Sequence, residues 1–340
     1  MQPFIQRFIR YVQIDTRSDE TSDTIPSTPA QLDFAFMLKD ELIDIGCQDV
    51  FVNTDNGFVM ATVPANTNRI IDPIGFIAHI DTADFESTNI QPKIVMDYDG
   101  KDILLNKELN IVLSPTQFPN LKNYVGHTLI TTDGTTLLGA DNKAGMVAII
   151  EAIKDLIDAP GFEHGPIKVA FGPDEEIGRG ADLFDVQAFN TVFAYTVDGS
   201  FKGQLEYESF NAANATITIK GVSVHPGTAK DTMINAIKLA CELDGMLPQD
   251  MVPEKTEKRE GFYLCTQIEG TIEDAVMHYI IRDHDRELFE AKKQLLSQIV
   301  DTLNNKYPKA TIKAVIKDSY YNMGDVIKHD MRSVELAKKA

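Results

Sequence analysis

Short apolar runs alternate with helix-like segments between residues 70 and 210. Continuous apolar runs of this length are typical of strands in a largely parallel sheet that is covered on both faces. Three of them predict central strands, at residues 74–78, 167–171 and 192–197. Acidic residues or a histidine follow each run at once. Because ligands bind at the carboxyl ends of strands in open α/β sheets, this pattern predicts a functional site at that edge.

The pattern changes after residue 210 to a compact βαββαβ order, which is the ferredoxin-like arrangement. The predicted elements are a strand at 212–220, a helix at 231–245, strands at 262–270 and 275–282, a helix at 285–305 and a strand at 311–317. We therefore expect an α/β fold: a mostly parallel-sheet catalytic domain with helices on both faces, interrupted by a ferredoxin-like insert. The predicted boundaries are 1–208 for the first part of the catalytic domain, 209–319 for the insert and 320–340 for the return to the catalytic domain.

Composition limits the classes of function. With 340 residues, 43% of them hydrophobic and 24% charged, the chain is long enough for two globular domains. A net charge of -19 would repel phosphate backbones, so we expect no nucleic-acid partner. No apolar run approaches the roughly 20 residues of a spanning helix, and the N-terminus predicts an amphipathic helix instead of a signal peptide. These features favour a cytoplasmic protein without a membrane partner.

The first candidate for chemistry is the pair His79 and Asp81, directly after the predicted strand 74–78. Residues i and i+2 of an extended segment share one face, so both side chains can serve one site. A metal-binding histidine commonly donates its other ring N–H to a carboxylate, which fixes its tautomer and orientation. A hydrogen-bonded structural pair is the alternative.

Three further candidate sites are acidic and contain four carboxylates. Asp141 begins a segment that predicts a helix, and it either caps that helix or points a carboxylate into the crevice, where its two oxygens could bridge two cations. Glu175 and Glu176 follow the strand 167–171, so one carboxylate can bind metal while its neighbour acts on a water; a solvated acidic loop is the alternative. Asp198 follows the strand 192–197, where it could also initiate a turn.

Taken together, one histidine and several carboxylates at neighbouring strand ends predict a metal site. An imidazole among carboxylates suits zinc, manganese or cobalt better than calcium. The number of carboxylates is too large for one zinc and indicates a bridged pair of ions. Such a pair can activate a water and polarise a carbonyl group, so the sequence predicts metal-assisted hydrolysis.

Six segments carry a resemblance that covers essentially the whole chain: AHIDTAD, TTDGTTLLGADNKAG, AFGPDEEIGRGAD, AYTVDG, FNAANATITIKGVSVHPGTAKD and MHYIIRDHDR. They resemble the peptidase T family of tripeptide aminopeptidases, in the di-zinc superfamily that also contains aminoacylases and carboxypeptidases. The resemblance implies a zinc-dependent metallo-exopeptidase that releases the N-terminal residue from tripeptides.

The resemblance also implies a role for each candidate. His79 and Asp198 would hold one zinc, Asp141 would bridge, and Glu176 would hold the second zinc. Glu175 would be the general base and Asp81 would orient His79.

The insert would be a lid and dimerisation domain, so a homodimer is expected. His225, in the segment SVHPG, resembles the lid histidine that helps to stabilise the tetrahedral intermediate; a capping or surface histidine is the alternative. Arg282 could bind a substrate carboxylate with two hydrogen bonds, or form a salt bridge within the lid.

The chain departs from the family at its end, because the family continues with a Gly-rich stretch and a histidine that completes the second zinc site. His329 precedes those expected motifs, so the second site is expected to be incomplete in this chain. Two alternatives to a tripeptide aminopeptidase stay open, one because the superfamily shares its metal core and one because the second site is expected to be incomplete. One is a related dipeptidase, carboxypeptidase or deacylase, and the other is a catalytically inactive, truncated fragment.

Overall fold

The computed structural model describes residues 2–159, 161–181, 183–199 and 201–340. The chain divides into two compact units, with the boundary between Lys202 and Gly203. Asp182, the last residue of the segment AFGPDEEIGRGAD, lies outside the described residues. Each unit has its own hydrophobic core and is described separately below.

The first unit alternates helices and strands. In chain order its elements are α1 (Pro3–Val12), α2 (Pro29–Ile45), β1 (Gln48–Val52), β2 (Val59–Val63), β3 (Ile74–His79), β4 (Lys93–Val95), β5 (Ile103–Asn106), β6 (Ile111–Leu113), a 3-10 helix (Pro119–Tyr124), β7 (Leu129–Thr131), α3 (Ala140–Asp158), β8 (Ile167–Gly172), α4 (Val186–Phe189) and β9 (Phe193–Thr196). The three strands expected from continuous apolar runs are β3, β8 and β9. The amphipathic N-terminal helix is α1.

The main sheet has the strand order β1-β2-β8-β3-β9. Strand β3 pairs in parallel with β8 and with β9, so their carboxyl ends meet at one edge. Strand β2 pairs antiparallel with both β1 and β8, which makes the sheet mixed and less parallel than the apolar pattern indicated. The difference arises because an apolar run reports burial and carries no information on strand direction. The α/β fold class is confirmed.

Helices cover both faces of this sheet. On one face, α1, α2 and α3 pack against alternate residues of the strands, including Val59 and Val169. The intervening residues Met60 and Ala170 point to the other face and pack with Phe189 of α4. The carboxyl ends of β3, β8 and β9 thus lie at the edge of a sheet that is held between layers.

The second unit has the predicted βαββαβ order. Its elements are β10 (Asn211–Lys220), a 3-10 helix (Pro226–Thr228), α5 (Ala236–Met246), β11 (Phe262–Gly270), β12 (Asp274–Asp283), α6 (Arg286–Lys306), β13 (Thr311–Tyr320), α7 (Gly324–Ile327) and α8 (Arg332–Ala337). The four strands are antiparallel in the order β11-β12-β10-β13. This is the ferredoxin-like topology, and α5 and α6 cover one face of the sheet.

Residues 320–340 are grouped with the second unit. Their predicted return to the catalytic domain, like the boundaries 1–208 and 209–319, stays a prediction. Among the described residues, no helix combines the length and apolar character that crossing a membrane requires.

Candidate metal centre

His79 is the last residue of β3, and its ring is only 5% exposed. Its Nδ1 lies 3.1 Å from the carbonyl oxygen of Asp81 and 3.2 Å from the Oδ1 atom of the same residue. Burial is the largest influence on His79 and disfavours its charged form. The hydrogen bond and charge of Asp81, with the charges of Asp198 and Glu175, outweigh burial and raise the pKa of His79 to about 9. Asp81 therefore fixes the ring so that Nε2 is directed away from it.

Three carboxylates surround that Nε2 atom. Asp141 Oδ1 lies 2.9 Å from it, and Glu175 Oε2 and Asp198 Oδ2 each lie 3.8 Å from it. His79, Asp141 and Asp198 each offer one ligand atom, and these three atoms lie within 4.8 Å of one another. A single cation could therefore contact all three residues. In the part of the chain that the structure describes, Glu176 is not part of this group, although it belongs to the adjoining loop.

The local backbone directs Asp141 towards His79. Asp141 and Asn142 have φ/ψ values of -79°/111° and -114°/30°, so regular helical geometry in α3 begins after them. The Asp141 side chain is 71% exposed. Its carboxylate thus projects from the start of α3 into the group around His79.

Glu175 and Glu176 lie in the loop that follows β8, and Asp81 holds this loop through its backbone. The buried Asp81 carboxylate accepts the N–H of Glu175 at 3.0 Å and the N–H of Glu176 at 3.1 Å. One carboxylate therefore joins the end of β3 to the loop that carries both glutamates.

The electrostatics of the acidic groups favour a bound cation. Burial is the largest cause that raises the pKa values of Glu175, Glu176 and Asp198. The Asp141 carboxylate raises all three further, whereas His79 lowers them. A cation among these groups would offset the repulsion, and one imidazole nitrogen with several carboxylate oxygens suits a divalent transition metal. The residues present thus fit a metal centre.

The structure reveals two buried charged residues beside the centre that the sequence did not single out. Asp174 is fully buried and binds Ser27 and Gln31 at the start of α2.

Lys143 is fully buried and donates from Nζ to the carbonyl of Ile14 at 2.6 Å. Burial lowers the pKa of Lys143 to about 8, against the opposing charges of Asp15 and Asp81. The sequence could not identify either Asp174 or Lys143, because their contacts join positions 129 to 147 residues apart.

A cavity of about 470 Å³ adjoins the centre. His79, Glu175 and Asp198 contribute to its polar wall, while Phe58 and Phe184 contribute to its apolar wall. A small organic molecule in this cavity could therefore approach the metal-ligand group from one side.

His225 and Arg282 belong to the second unit, and each has local partners there. His225 precedes a 3-10 turn, and its Nδ1 accepts the N–H of Gly227 at 3.0 Å. Arg282, on β12, donates from Nη1 to the carbonyl of Ala213 at 3.2 Å, and its guanidinium carbon lies 5.6 Å from the centre of the Tyr320 ring. The His225 contact matches the capping alternative. The contacts of Arg282 are with a carbonyl oxygen and an aromatic ring, and not the expected salt bridge. Both substrate roles stay predictions.

The chain resembles known peptidases over nearly its whole length. Residues 207–311 match the family described as the peptidase dimerisation domain, M20_dimer. Peptidase T of Fusobacterium nucleatum is 57% identical over 335 residues, which are 98% of this chain and 81% of that protein. Peptidase T of Bacillus subtilis is 54% identical, over 100% of this chain and 83% of that protein.

Solved structures show the same fold. The crystal structure of an aminopeptidase from Bacillus cereus superposes with a TM-score of 0.70 at 21% identity, over 94% of this chain and 76% of that one. A dinuclear metal binding peptidase of the M20 family from Bacillus subtilis gives a TM-score of 0.58 at 14% identity, over 94% of this chain and 74% of that one.

Proposed function

The chain belongs to the peptidase T family, and from this premise we propose that it is a zinc-dependent aminopeptidase that releases the N-terminal residue of tripeptides. Identities of 54–57% with proteins named peptidase T, over nearly the whole chain, support a peptidase. The observation that carries the chemistry is the buried His79 ring, whose Nε2 faces three carboxylates at the carboxyl edge of the sheet.

We assign His79 and Asp198 to one metal ion, Asp141 to a bridging position and Glu176 to a second ion. The group of ligand atoms around His79 supports the first three assignments. The loop that Asp81 fixes supports the fourth, because it carries Glu176. When bound, the ions would polarise the scissile carbonyl and acidify a water molecule.

Glu175 is assigned as the general base. Its Oε2 lies 3.8 Å from His79 Nε2, at the border of the cavity, and burial raises its pKa above the usual value of a glutamate. A carboxylate with a raised pKa can take a proton from water and pass it to the leaving amine. Asp81, by contrast, holds His79 and the loop amides and is assigned an orienting role.

The second unit is assigned as a lid and dimerisation domain of a cytoplasmic homodimer. The match of residues 207–311 to the peptidase dimerisation domain supports the dimer. His225 is assigned to the stabilisation of the tetrahedral intermediate, and Arg282 to the carboxylate of the peptide. Their side chains offer a ring nitrogen and several N–H donors for these tasks.

Hydrolysis of a free tripeptide by the purified chain with added zinc tests the proposal, and Glu175→Gln is the blank. We expect release of the N-terminal residue and the intact C-terminal dipeptide, with loss of turnover in the variant. Removal of metal by a chelator should also stop the reaction, and added zinc should restore it.

Three other substrates separate the related activities. Release of the C-terminal residue would indicate a carboxypeptidase, cleavage of an N-acylated amino acid would indicate a deacylase, and preference for dipeptides would indicate a dipeptidase. Any of these patterns, or no turnover from the folded chain with bound metal, would contradict the proposal.

A further inference from the structure

Asp174 precedes the proposed general base, and its side chain is buried, with the residue 0% exposed. A carboxylate this deeply buried is stable only with several hydrogen-bond donors. It accepts the N–H of Ser27 at 2.8 Å, the Oγ hydroxyl of Ser27 at 2.5 Å and the Nε2 amide of Gln31 at 2.8 Å. The Gln31 side chain also accepts the N–H of Asp174 at 3.1 Å through Oε1. Four hydrogen bonds therefore connect Asp174 to the start of α2.

The backbone of Asp174 closes the loop that contains Glu175 and Glu176. Its carbonyl oxygen accepts the N–H of Arg179 at 3.0 Å and the N–H of Gly180 at 3.1 Å. The residue has a positive φ of 60°, a conformation that aspartate tolerates better than most residues. The chain thus turns two residues after the end of β8, at a residue that is held in this uncommon geometry.

A second set of hydrogen bonds holds the end of the same loop at Arg179. The Arg179 guanidinium donates to the carbonyl of Ser22 at 2.6 Å and to the carbonyl of Glu20 at 3.0 Å. The segment before α2 is thus bonded to both ends of the loop, while Asp81 binds its middle.

We propose that Asp174, with Ser27 and Gln31, is a positioning group that fixes Glu175 and Glu176 relative to His79. The proposal rests on the function proposed above. The Asp174 side chain is directed to α2, and the residue acts on the metal centre through the backbone of its neighbours. Its carboxylate provides two acceptor oxygens for three converging donors, so the loop has one preferred position.

The decisive experiment exchanges the acid and the amide between positions 174 and 31. In Asp174→Asn, one acceptor oxygen becomes an N–H donor that faces the Gln31 amide, another donor. In the double variant Asp174→Asn/Gln31→Glu, the new carboxylate at position 31 can accept both the new amide at position 174 and the backbone N–H of that residue. The number of buried charges is unchanged.

For Asp174→Asn we expect kcat on a tripeptide and the affinity for zinc each to fall roughly 10- to 100-fold, which is typical when a group that orients a metal site is lost. KM should stay within about threefold, because the substrate contacts are not altered. The double variant should recover most of both losses. Ser27→Ala removes the hydroxyl, which donates to Asp174 and accepts from the backbone N–H of Asp19 and the amide of Gln31. It keeps the backbone N–H bond to Asp174 and should give a smaller loss, so the test stays decisive if Asp174→Asn does not fold.

The matched control is Asp283→Asn in the second unit. Asp283 is also buried, and its Oδ2 accepts from Lys292 Nζ at 2.6 Å. This variant should lower the melting temperature without lowering the zinc affinity.

The proposal is overturned if Asp174→Asn lowers only the melting temperature and leaves kcat and zinc affinity within about twofold of the unchanged chain. A folded double variant that recovers neither quantity would also overturn it. Absence of turnover in the unchanged chain would refute the proposed function alone, because the comparison of zinc affinities still tests the positioning role.

Discussion

At the scale of single residues, Asp81 connects the parts of the candidate metal centre. One oxygen lies 3.2 Å from His79 Nδ1, and both oxygens accept loop N–H groups, from Glu175 and Glu176. The orienting role of Asp81 is therefore inseparable from the placement of the loop. A residue with both tasks should be more sensitive to substitution than its distance from the substrate cavity suggests.

Replacing Asp81 by asparagine should lower the affinity for zinc roughly 10- to 100-fold. The amide has a single acceptor oxygen for the three donors that now share the carboxylate, and its N–H₂ would face one of them. Isothermal titration with zinc measures the change. Asp84→Asn is the control, since Asp84 is more than half exposed and pairs with Arg17 at the surface. Equal affinities for the two variants would contradict the orienting role.

Residues also show where sequence reasoning ends. The carboxylates of Asp141, Glu175 and Asp198 were predicted to converge with His79 because each lies shortly after a strand or begins a helix at one edge of a sheet. The structure brings them together. Asp174 was not predicted, because its partner Ser27 lies 147 positions away in the sequence. No local pattern reports a contact of that range.

At the scale of elements, continuous apolar runs located the ends of β3, β8 and β9 to within one residue, and the βαββαβ order identified the fold of the second unit. The antiparallel direction of β2 could not be predicted, since all five of its residues are buried and give no alternating pattern. The sequence also could not predict that α3 packs against the end of β9, because this contact requires a residue without a side chain at one position of α3.

That position is Gly145, in the second turn of α3. A Cβ atom there would lie 2.0 Å from the carbonyl oxygen of Val197 and 2.2 Å from Asn142 Oδ1. We therefore expect Gly145→Ala to reduce the free energy of unfolding by about 1–3 kcal/mol, the usual cost of overpacking, and to displace Asp141 or Asp198. Chemical denaturation measures the stability, and zinc titration should show weaker binding.

Gly245→Ala provides the opposite control within helix α5. Among the described residues, no atom lies within 4 Å of a Cβ atom built at Gly245, and alanine is the better helix former. This substitution should stabilise the second unit by about 0.5–1 kcal/mol and leave zinc binding unchanged. A Gly145→Ala protein as stable as this control would show that α3 and β9 do not require their close approach.

At the scale of the whole molecule, charge is distributed unevenly. Of the 51 acidic and 32 basic residues, 21 acidic and 18 basic ones lie in residues 203–340, which leaves a net charge of -3 there and -16 in the rest of the chain. Two copies of an acidic protein repel each other least when their nearly neutral parts meet. The charge distribution thus favours association through the unit that matches the peptidase dimerisation domain.

We therefore expect a dimer in solution, with a mass roughly twice the 37.8 kDa of one chain, by light scattering coupled to size exclusion. Because each copy carries a net charge of -19, repulsion should weaken the dimer at low ionic strength, where the Debye length reaches about 30 Å at 0.01 M. The dimer dissociation constant should fall as salt is raised to about 0.15 M, where that length is about 8 Å.

We expect the dimer contact to involve the edge strands of the second sheet. Ile268 on β11 and Val315 on β13 are both at least half exposed on edge strands, which present unpaired backbone groups to another chain. A lysine at one of these positions should raise the dissociation constant, whereas Ile70→Lys at a fully exposed position of the first unit should not. A monomer at all salt concentrations would contradict the dimer. A dimer that salt weakens would indicate contacts between opposite charges. It would then place the interface outside the nearly neutral second unit.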